Sequence, residues 1–491
     1  MSQHLDTAVA GPPTPAPVRD RLSPAEVVVI TVLSLSAFVM ILSELAMGVA
    51  LPQVMDDLEV TASVGQWLTT AYALTMAVII PSSGFLMQRF SLRTLFLATM
   101  GLFTLGTVIA AVAPGFELLL IGRIVQAIGT AVLLPMLTTT AIRLAPEGRR
   151  GQLMAITTAV PAVAGAISPA ISGIVVAQLS WRWIFLLVLP LAVLALVLGG
   201  WKIRNLDPTT AVRIDLLSLV LAAIGFGALL YGLSTIGESH GGASLLIAGA
   251  ALVAGVLGTA AFIARQWRLQ HRDAAMLDMR VFAHRDFSLS AAIFLAMVMT
   301  AFGLNVVFPL VLQNVLGLGA LETGLLLIPG GAAIAITAAS VGRVYERVGP
   351  RLLVVSGAVM AAAGWALLST ATPGTAIGIL LALHLLISIG LAFMWTPLFT
   401  LAMGSLPRHL YPHGSAALNT LQQLGGAAGI AVLITVLTWV TNAHSAGSGV
   451  SLEGMRAAFI AALILTLASA VGALLLPRRA ATVPTDLPIG H

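Results

Sequence analysis

The chain alternates between long apolar runs and short polar segments over most of its length. An α-helix needs about 20 mostly apolar residues to cross the hydrocarbon core of a bilayer. Because lipid offers the backbone no hydrogen-bond partners, each such run is expected to be helical. We therefore predict an all-α integral membrane protein with fourteen transmembrane helices. The runs lie near 27–51, 64–87, 93–113, 117–141, 152–177, 182–201, 216–236, 243–264, 287–312, 321–343, 351–371, 374–403, 414–441 and 455–477.

The composition supports this class and excludes several kinds of chemistry. Hydrophobic residues make up 58% of the chain and charged residues only 9%, whereas a soluble protein carries about 25% charged residues. There is no cysteine, so disulfides, thiolate metal sites and cysteine nucleophiles are excluded. The single lysine, Lys202, does not belong to a phosphate-binding loop of the Walker type. No His, Asp and Glu cluster has metal-ligand spacing, and we expect neither an enzyme nor a metal.

The basic residues predict the orientation of the chain. Of the 24 arginines and lysines, 21 fall on one side if the N-terminus is cytoplasmic. Only Arg182 and Arg456 then lie outside, and Arg123 lies within a span. Positive loops face the cytoplasm, so both termini are predicted to be cytoplasmic. Because the basic residues orient the chain in the membrane, they also account for the net charge of +5, and we expect no nucleic-acid partner.

An internal repeat divides the chain into two related halves. The segment "GFLMQRFSLR" (84–93) follows the second span, and "GRVYERVGPR" (342–351) follows the tenth. Parallel repeats of this kind build transporters whose halves rock around a midplane site. The end of the insert between the halves predicts either an interfacial amphipathic helix or a solvated connector. The predicted units are a disordered tail (1–26), a six-helix half (27–203), an insert with two helices (204–286), a second six-helix half (287–478) and a tail (479–491).

Glu44 is the acidic residue that lies deep in a span. Ionisable residues inside a membrane are costly and usually functional. The neighbouring helical face carries Met40 and Met47, which would give a substrate an adaptable apolar lining. Because burial disfavours a charged carboxylate, we predict that Glu44 binds and releases the coupled proton. The alternative is a permanent ion pair that locks two helices.

Arg123 is the cation inside a span, at roughly the depth of Glu44. A buried guanidinium needs a partner, so we predict that Arg123 pairs with Glu44, with Gln126 one turn away. Polar and aromatic side chains in other spans are candidates for substrate contact or for helix packing, and His384 is predicted to be a satisfied packing residue. The predicted substrate-binding residues are Met40, Met47, Trp67, Gln126, Asn305, Trp395, Asn419 and Gln422.

These segments resemble the motifs of a known family. The two loop segments resemble the loop motif of the major facilitator superfamily, and "IGRIVQAIG" around Arg123 resembles its fourth-span motif. "AGAISPAISG" (164–173) resembles the antiporter motif of the fifth span, with Ser168 and Ser172 where glycine is usual. Two extra spans are typical of the fourteen-span drug:proton antiporters, and "LSELAMGVALP" is most similar to lincomycin-resistance exporters.

The resemblance implies roles for further residues. Pro169 and Gly173 would serve close helix packing, as small residues in membrane helices do. The loop motifs would form a gate, although Gln88 stands where the family has an acid, and the second copy keeps Glu346. The implied gating residues are Gly84, Arg89, Arg93, Gly342, Glu346, Arg347 and Arg351.

The resemblance also implies an activity. It predicts a proton-coupled antiporter that exports hydrophobic or amphiphilic drugs across a bacterial cytoplasmic membrane. The implied partners are a small amphiphilic substrate, protons and lipid, and we expect a monomer with no cofactor beyond the proton motive force. The sequence leaves open an exporter of one metabolite, lipid or self-made antibiotic, a non-transporting receptor or scaffold, and a proton-driven importer.

Overall fold

The structure is a computed structural model that describes most of the predicted membrane domain. The predicted tails fall almost wholly outside the described residues, as does the start of the insert. The described residues are 22–146, 149–203, 215–238, 242–272, 274–444 and 450–478.

The first half contains six long helices and one short turn of helix. Ser23 caps the first helix, because its hydroxyl accepts a hydrogen bond from the backbone N–H of Glu26 while the Glu26 carboxylate accepts one in return. Pro24 occupies the first turn, where its missing N–H costs nothing. The helices are α1 (Pro24–Asp57), α2 (Ala62–Gly65), α3 (Trp67–Arg89), α4 (Leu92–Ala111), α5 (Phe116–Leu144), α6 (Arg150–Gln178) and α7 (Arg182–Lys202).

The insert and the second half follow in the predicted order. The first inserted span is interrupted by a π-helical turn at Ala223–Gly227. A short 3-10 helix at Met279–Ala283 precedes the second half. The helices are α8 (Leu216–Ala222), α9 (Ala228–Glu238), α10 (Gly242–Gln270), α11 (Arg285–Asn314), α12 (Ala320–Val348), α13 (Pro350–Leu368), α14 (Ile377–Gly404), α15 (Tyr411–His444) and α16 (Leu452–Ala473).

The helices account for the predicted spans with one difference. In the part of the chain that the structure describes, thirteen segments are long and apolar enough to cross a membrane. The predicted fifth span, 152–177, folds as the 29-residue helix α6, which is not among those thirteen. Because α6 packs against both α1 and α12, it is nevertheless part of the bundle. The chain is a multi-span membrane protein.

The end of the insert does not form one interfacial helix, so the first of the two predicted alternatives is wrong and the segment is a connector. Helix α10 runs on to Gln270, and a connector follows it. The buried Gln266 side chain accepts hydrogen bonds from the backbone N–H groups of Met276 and Leu277 at 2.8 and 3.2 Å. These bonds fold the connector back onto α10, and the buried Leu277 and Val281 side chains hold it there.

The two halves meet through equivalent helices. Within the first half α1 packs against α6 and α7, and α5 packs against α3 and α4. Between the halves α3 packs against α15 and α6 against α12, so each half contributes its second and fifth long helix. The insert packs against α3 and α15, and therefore covers one of these two seams.

Candidate transport site

A buried polar cluster surrounds Arg123 inside the first half. The Arg123 guanidinium is 1% exposed and lies over the Tyr72 ring, 4.2 Å from its centroid. It donates a hydrogen bond of 3.1 Å to Gln126 Oε1 and longer bonds of 3.5 Å to the carbonyls of Ser43 and Leu68. The cation is therefore held by an amide, two carbonyls and an aromatic face.

Hydroxyl groups extend this cluster across four helices. Gln126 Nε2 donates to Thr107 Oγ1 at 2.8 Å and to Ser43 Oγ at 3.5 Å. The Tyr72 and Thr130 hydroxyls are 2.8 Å apart. The predictions did not include Tyr72, Thr107 or Thr130, although each is a polar residue inside an apolar span. The network ties α1, α3, α4 and α5 together and fixes the position of Arg123.

Glu44 lies next to this cluster but does not pair with it directly. Among the described residues, Glu44 makes no hydrogen bond and no ion pair within 4 Å; it interacts with Arg123 and Tyr72 only through longer-range electrostatics. The predicted Glu44–Arg123 pair is therefore absent in this conformation, because other acceptors satisfy the guanidinium. Glu44 is half-buried, so its side chain is partly accessible beside the cluster.

Helix α6 holds the turn of α1 that carries Glu44. The buried Ser168 and Ser172 hydroxyls donate to the carbonyls of Leu42 and Ala46 at 3.0 and 2.7 Å. These two carbonyls lie two residues on either side of Glu44. The prediction that Gly173 serves close packing is wrong for the described part of the chain, because an added Cβ would meet none of its atoms within 4 Å. The side chain of Pro169 lies outside the described residues.

Three of the predicted substrate-binding residues are packed against other side chains. Met40 and Met47 are both fully buried in the apolar packing of the first half, so they do not line a cavity in this conformation. The Trp67 indole stacks on Tyr231 of the insert with a centroid distance of 6.1 Å. Both rings border a cleft of about 530 Å³ between α3, α5 and the insert.

The second-half candidates take three different environments. Asn305 is exposed on α11, and its amide donates to the carbonyl of Ala301 in the same helix at 2.9 Å. Asn419 is buried and donates to Ser415 O at 2.8 Å, also within its own helix. Trp395 packs edge-on against Phe294, whereas Gln422 is partly exposed. Asn305 therefore has the most accessible side chain of this set, Trp395 and Gln422 are partly exposed, and Asn419 is buried.

The repeat gives Glu44 and Arg123 each a second-half counterpart at the same helix position. Glu44 is residue 21 of α1 and Asn305 is residue 21 of α11. Arg123 is residue 8 of α5 and His384 is residue 8 of α14. His384 stacks on Phe308 at 5.1 Å, and its buried Nδ1 has no hydrogen-bond partner among the described residues. The prediction that His384 is a satisfied packing residue is therefore only half right, since the ring packs but one nitrogen is unsatisfied.

The two loop motifs lie at one end of the bundle, here called the loop-motif end, where the halves touch. An added Cβ on Gly84 would approach Nδ1 of His413 to 2.8 Å, and one on Gly342 would approach the carbonyl oxygen of Gly151 to 2.5 Å. Both motif glycines thus permit direct contact between a second and a fifth long helix. Thr139 and Ser415 add a hydroxyl contact of 2.6 Å between the halves.

The side chains of the motifs bridge the same seam. Glu346 Oε1 accepts a hydrogen bond from the backbone N–H of Gly151 at 3.1 Å. Gln88, which replaces the usual acid in the first motif, lies 2.8 Å from Nε2 of His413. Each motif therefore contributes one polar contact to the other half, and the loop-motif end is closed in this conformation. The motif arginines at this end are partly or fully exposed: Arg89, Arg93, Arg347 and Arg351.

Comparison with known proteins identifies the family. A sequence model of the Major Facilitator Superfamily matches residues 33–430. The MFS-type transporter YcnB of Bacillus subtilis (strain 168) is 37% identical over 443 residues, which cover 90% of this chain and 93% of YcnB. The lincomycin resistance protein LmrB of the same strain is 36% identical over 458 residues, covering 91% and 95%.

A solved structure supports the fold. The human organic anion transporter MFSD10 (TETRAN) superposes with a TM-score of 0.65 over 92% of this chain and 100% of that one, at 14% identity. At this identity the likeness concerns the fold alone. The family model covers more than half of the chain, and the relatives are transporters. The chain therefore belongs to the Major Facilitator Superfamily, and it is a transporter rather than an enzyme.

Proposed function

We propose that the protein is a proton-coupled antiporter that exports hydrophobic or amphiphilic drugs by alternating access. It acts in a bacterial cytoplasmic membrane as a monomer, with both termini and the loop-motif end inside. The relatives support the substrate class, because LmrB is a lincomycin resistance protein. The observation that carries the proposal is the half-buried Glu44 carboxylate, which lies beside the buried Arg123 cluster and interacts with it electrostatically.

The different partners of Arg123 and Glu44 support proton coupling. Arg123 has its own hydrogen-bond acceptors, so Glu44 can gain or lose a proton without leaving a guanidinium unsatisfied. A proton from the outside would neutralise Glu44 in the conformation with a closed loop-motif end. Release to the inside would restore a carboxylate, which favours binding of a cationic or polar drug. A ligand shifts the conformational equilibrium only by its different affinity for the two states.

The test is transport by purified protein in proteoliposomes with an imposed pH gradient. The substrates are a lincosamide and a panel of unrelated hydrophobic and cationic toxins. We expect drug movement that depends on the gradient, and we expect Glu44→Gln to abolish it while drug binding is retained. Glu117→Gln is the matched control, because Glu117 is an exposed acid in the first turn of α5.

The outcomes separate the alternatives. Gradient-driven transport of a single compound would indicate a dedicated exporter, and transport of several would indicate a multidrug exporter. Drug binding without drug flux, whichever way the protein is inserted in the liposomes, would support a non-transporting receptor. Normal export by Glu44→Gln would show that coupling resides elsewhere and that Glu44 is structural.

A further inference from the structure

A groove of about 500 Å³ lies at the loop-motif end, between α6 of the first half and α12 of the second. The start of α1 closes its side. The groove lies beside the closest approach of the halves, where Gly151 faces Gly342. Its lining includes Val27, Arg149, Leu153, Ile156, Ala339 and Arg343.

Two arginines at this groove come from different halves. Arg149 precedes α6, and Arg343 lies in the last two turns of α12. Both side chains are exposed, and neither forms a hydrogen bond or an ion pair in the described part of the chain. The neighbouring acid Glu346 is already bonded to the backbone N–H of Gly151. The groove therefore offers two guanidinium groups to an anion.

Apart from the exposed Gln152, the rest of the lining is apolar. Leu153, Ile156 and Ala339 form a wall that continues from the arginines along the helices towards the bilayer centre. A soluble phosphate would neutralise the arginines but leave this wall uncovered. Basic pockets between transmembrane helices at the cytoplasmic side bind the headgroups of anionic lipids. An anionic lipid fits both the arginines and the apolar wall, because its phosphate and its acyl chain belong to one molecule.

We propose that this groove binds one anionic glycerophospholipid of the inner leaflet. Its phosphate lies between Arg149 and Arg343, and an acyl chain covers Leu153, Ile156 and Ala339. This ligand touches both halves only while the loop-motif end is closed. A ligand stabilises the state to which it binds more tightly, so the lipid favours the closed loop-motif end. This last step rests on the alternating access of the proposed function, and the choice of the inner leaflet rests on its orientation, whereas the binding itself rests on neither.

The experiment measures lipid retention, which requires no transport. The purified full-length protein is equilibrated in nanodiscs of phosphatidylglycerol and phosphatidylcholine, released, and weighed by native mass spectrometry. We expect one retained phosphatidylglycerol in the wild type. Each basic residue near a membrane surface contributes about 1 kcal/mol of attraction, so Arg149→Gln with Arg343→Gln should weaken retention roughly thirtyfold.

Matched variants keep the result interpretable. Arg268→Gln removes an exposed arginine from the last turn of α10, away from the groove, and should retain the lipid as the wild type does. Ala339→Leu fills the groove without changing charge and should also reduce retention. Equal unfolding midpoints in phosphatidylcholine would show that the variants are folded.

Three results would overturn the proposal. The double variant could retain phosphatidylglycerol as the wild type does, Arg268→Gln could lose it equally, or inorganic phosphate could displace it at millimolar concentration. The last result would identify a soluble anion as the ligand. Since none of these measurements uses a pH gradient, failure of proton-coupled export would leave the lipid site standing, and the reverse also holds.

Discussion

At the scale of single residues, most of the groups that hold Arg123 lie outside its sequence neighbourhood. The sequence offers Glu44 as its charge partner, but the guanidinium bonds to Gln126 Oε1 and to two carbonyls and lies over Tyr72. A buried cation that lacked these acceptors would be costly. Among the described residues Glu44 has no hydrogen-bond or ion-pair partner, which fits the proton-exchanging role proposed for it.

Replacement of Arg123 by alanine should therefore do more harm than replacement of a single hydroxyl. Arg123→Ala leaves the Gln126 amide oxygen unsatisfied and removes the packing on Tyr72, at a cost of roughly 1–3 kcal/mol per unsatisfied buried group. Tyr72→Phe keeps the ring under the guanidinium and loses only the bond to Thr130, for about 1 kcal/mol. Thermal unfolding in detergent should show the larger loss for Arg123→Ala. Equal losses would mean that the cluster is not organised around Arg123.

At the scale of helices, glycines leave space that a side chain of a neighbouring helix can fill. Gly330 lies twelve residues before Gly342, as Tyr72 lies twelve residues before Gly84. In the first half the Tyr72 ring supports Arg123, whereas in the second half the His384 ring occupies the space beside Gly330. The equivalent positions of the two halves thus differ. The first half has the large Tyr72 side chain there, whereas the second half has Gly330, and His384 from another helix fills the space.

This exchange predicts a compensating pair of substitutions. An added Cβ at Gly330 would lie 2.2 Å from Nε2 of His384, whose ring cannot move easily because it stacks on Phe308. Gly330→Ala should therefore destabilise the protein by about 1–3 kcal/mol, as overpacking does. Adding His384→Ala should restore much of that loss, which a double-mutant cycle of unfolding midpoints would detect. Gly101→Ala, at a helix position with open space, is the control. Additive effects of the two changes would contradict the predicted clash.

At the scale of the whole molecule, the two halves close on each other at the loop-motif end. The closure uses Gly84, Gly342 and the bridging contacts of Gln88 and Glu346, so both copies of the repeated motif take part. Transport by alternating access requires these contacts to break in the opposite state. A covalent link across this seam should therefore trap one conformation.

The chain is suited to disulfide crosslinking of introduced cysteines because it contains no cysteine of its own. Thr139→Cys with Ser415→Cys replaces two hydroxyls that are 2.6 Å apart across the seam. Oxidation should link the halves and stop export, and reduction should restore it. Thr441→Cys with Ser451→Cys is the control, because these hydroxyls lie 3.3 Å apart within one half. Unimpaired export by the linked Thr139–Ser415 pair would show that this seam does not open.

The amino-acid sequence by itself determined the number of long helices, the repeat of two halves, and the isolation of Glu44 and Arg123 in apolar spans. These properties are local: hydrophobicity over about 20 residues decides whether a segment is a span, and a charge inside such a run is visible without a partner. The motifs that indicate the family are also local, since the residues of each motif are close together in the chain.

The tertiary structure decided which groups these residues meet. Met40 and Met47 share a helix with Glu44 yet are buried, and Ser168 and Ser172 rather than Gly173 contact α1. The rotation of each helix about its axis depends on packing against helices that are distant in the chain. Because nearly every face of a membrane helix is apolar, sequence periodicity does not record that rotation, and only the assembled bundle does.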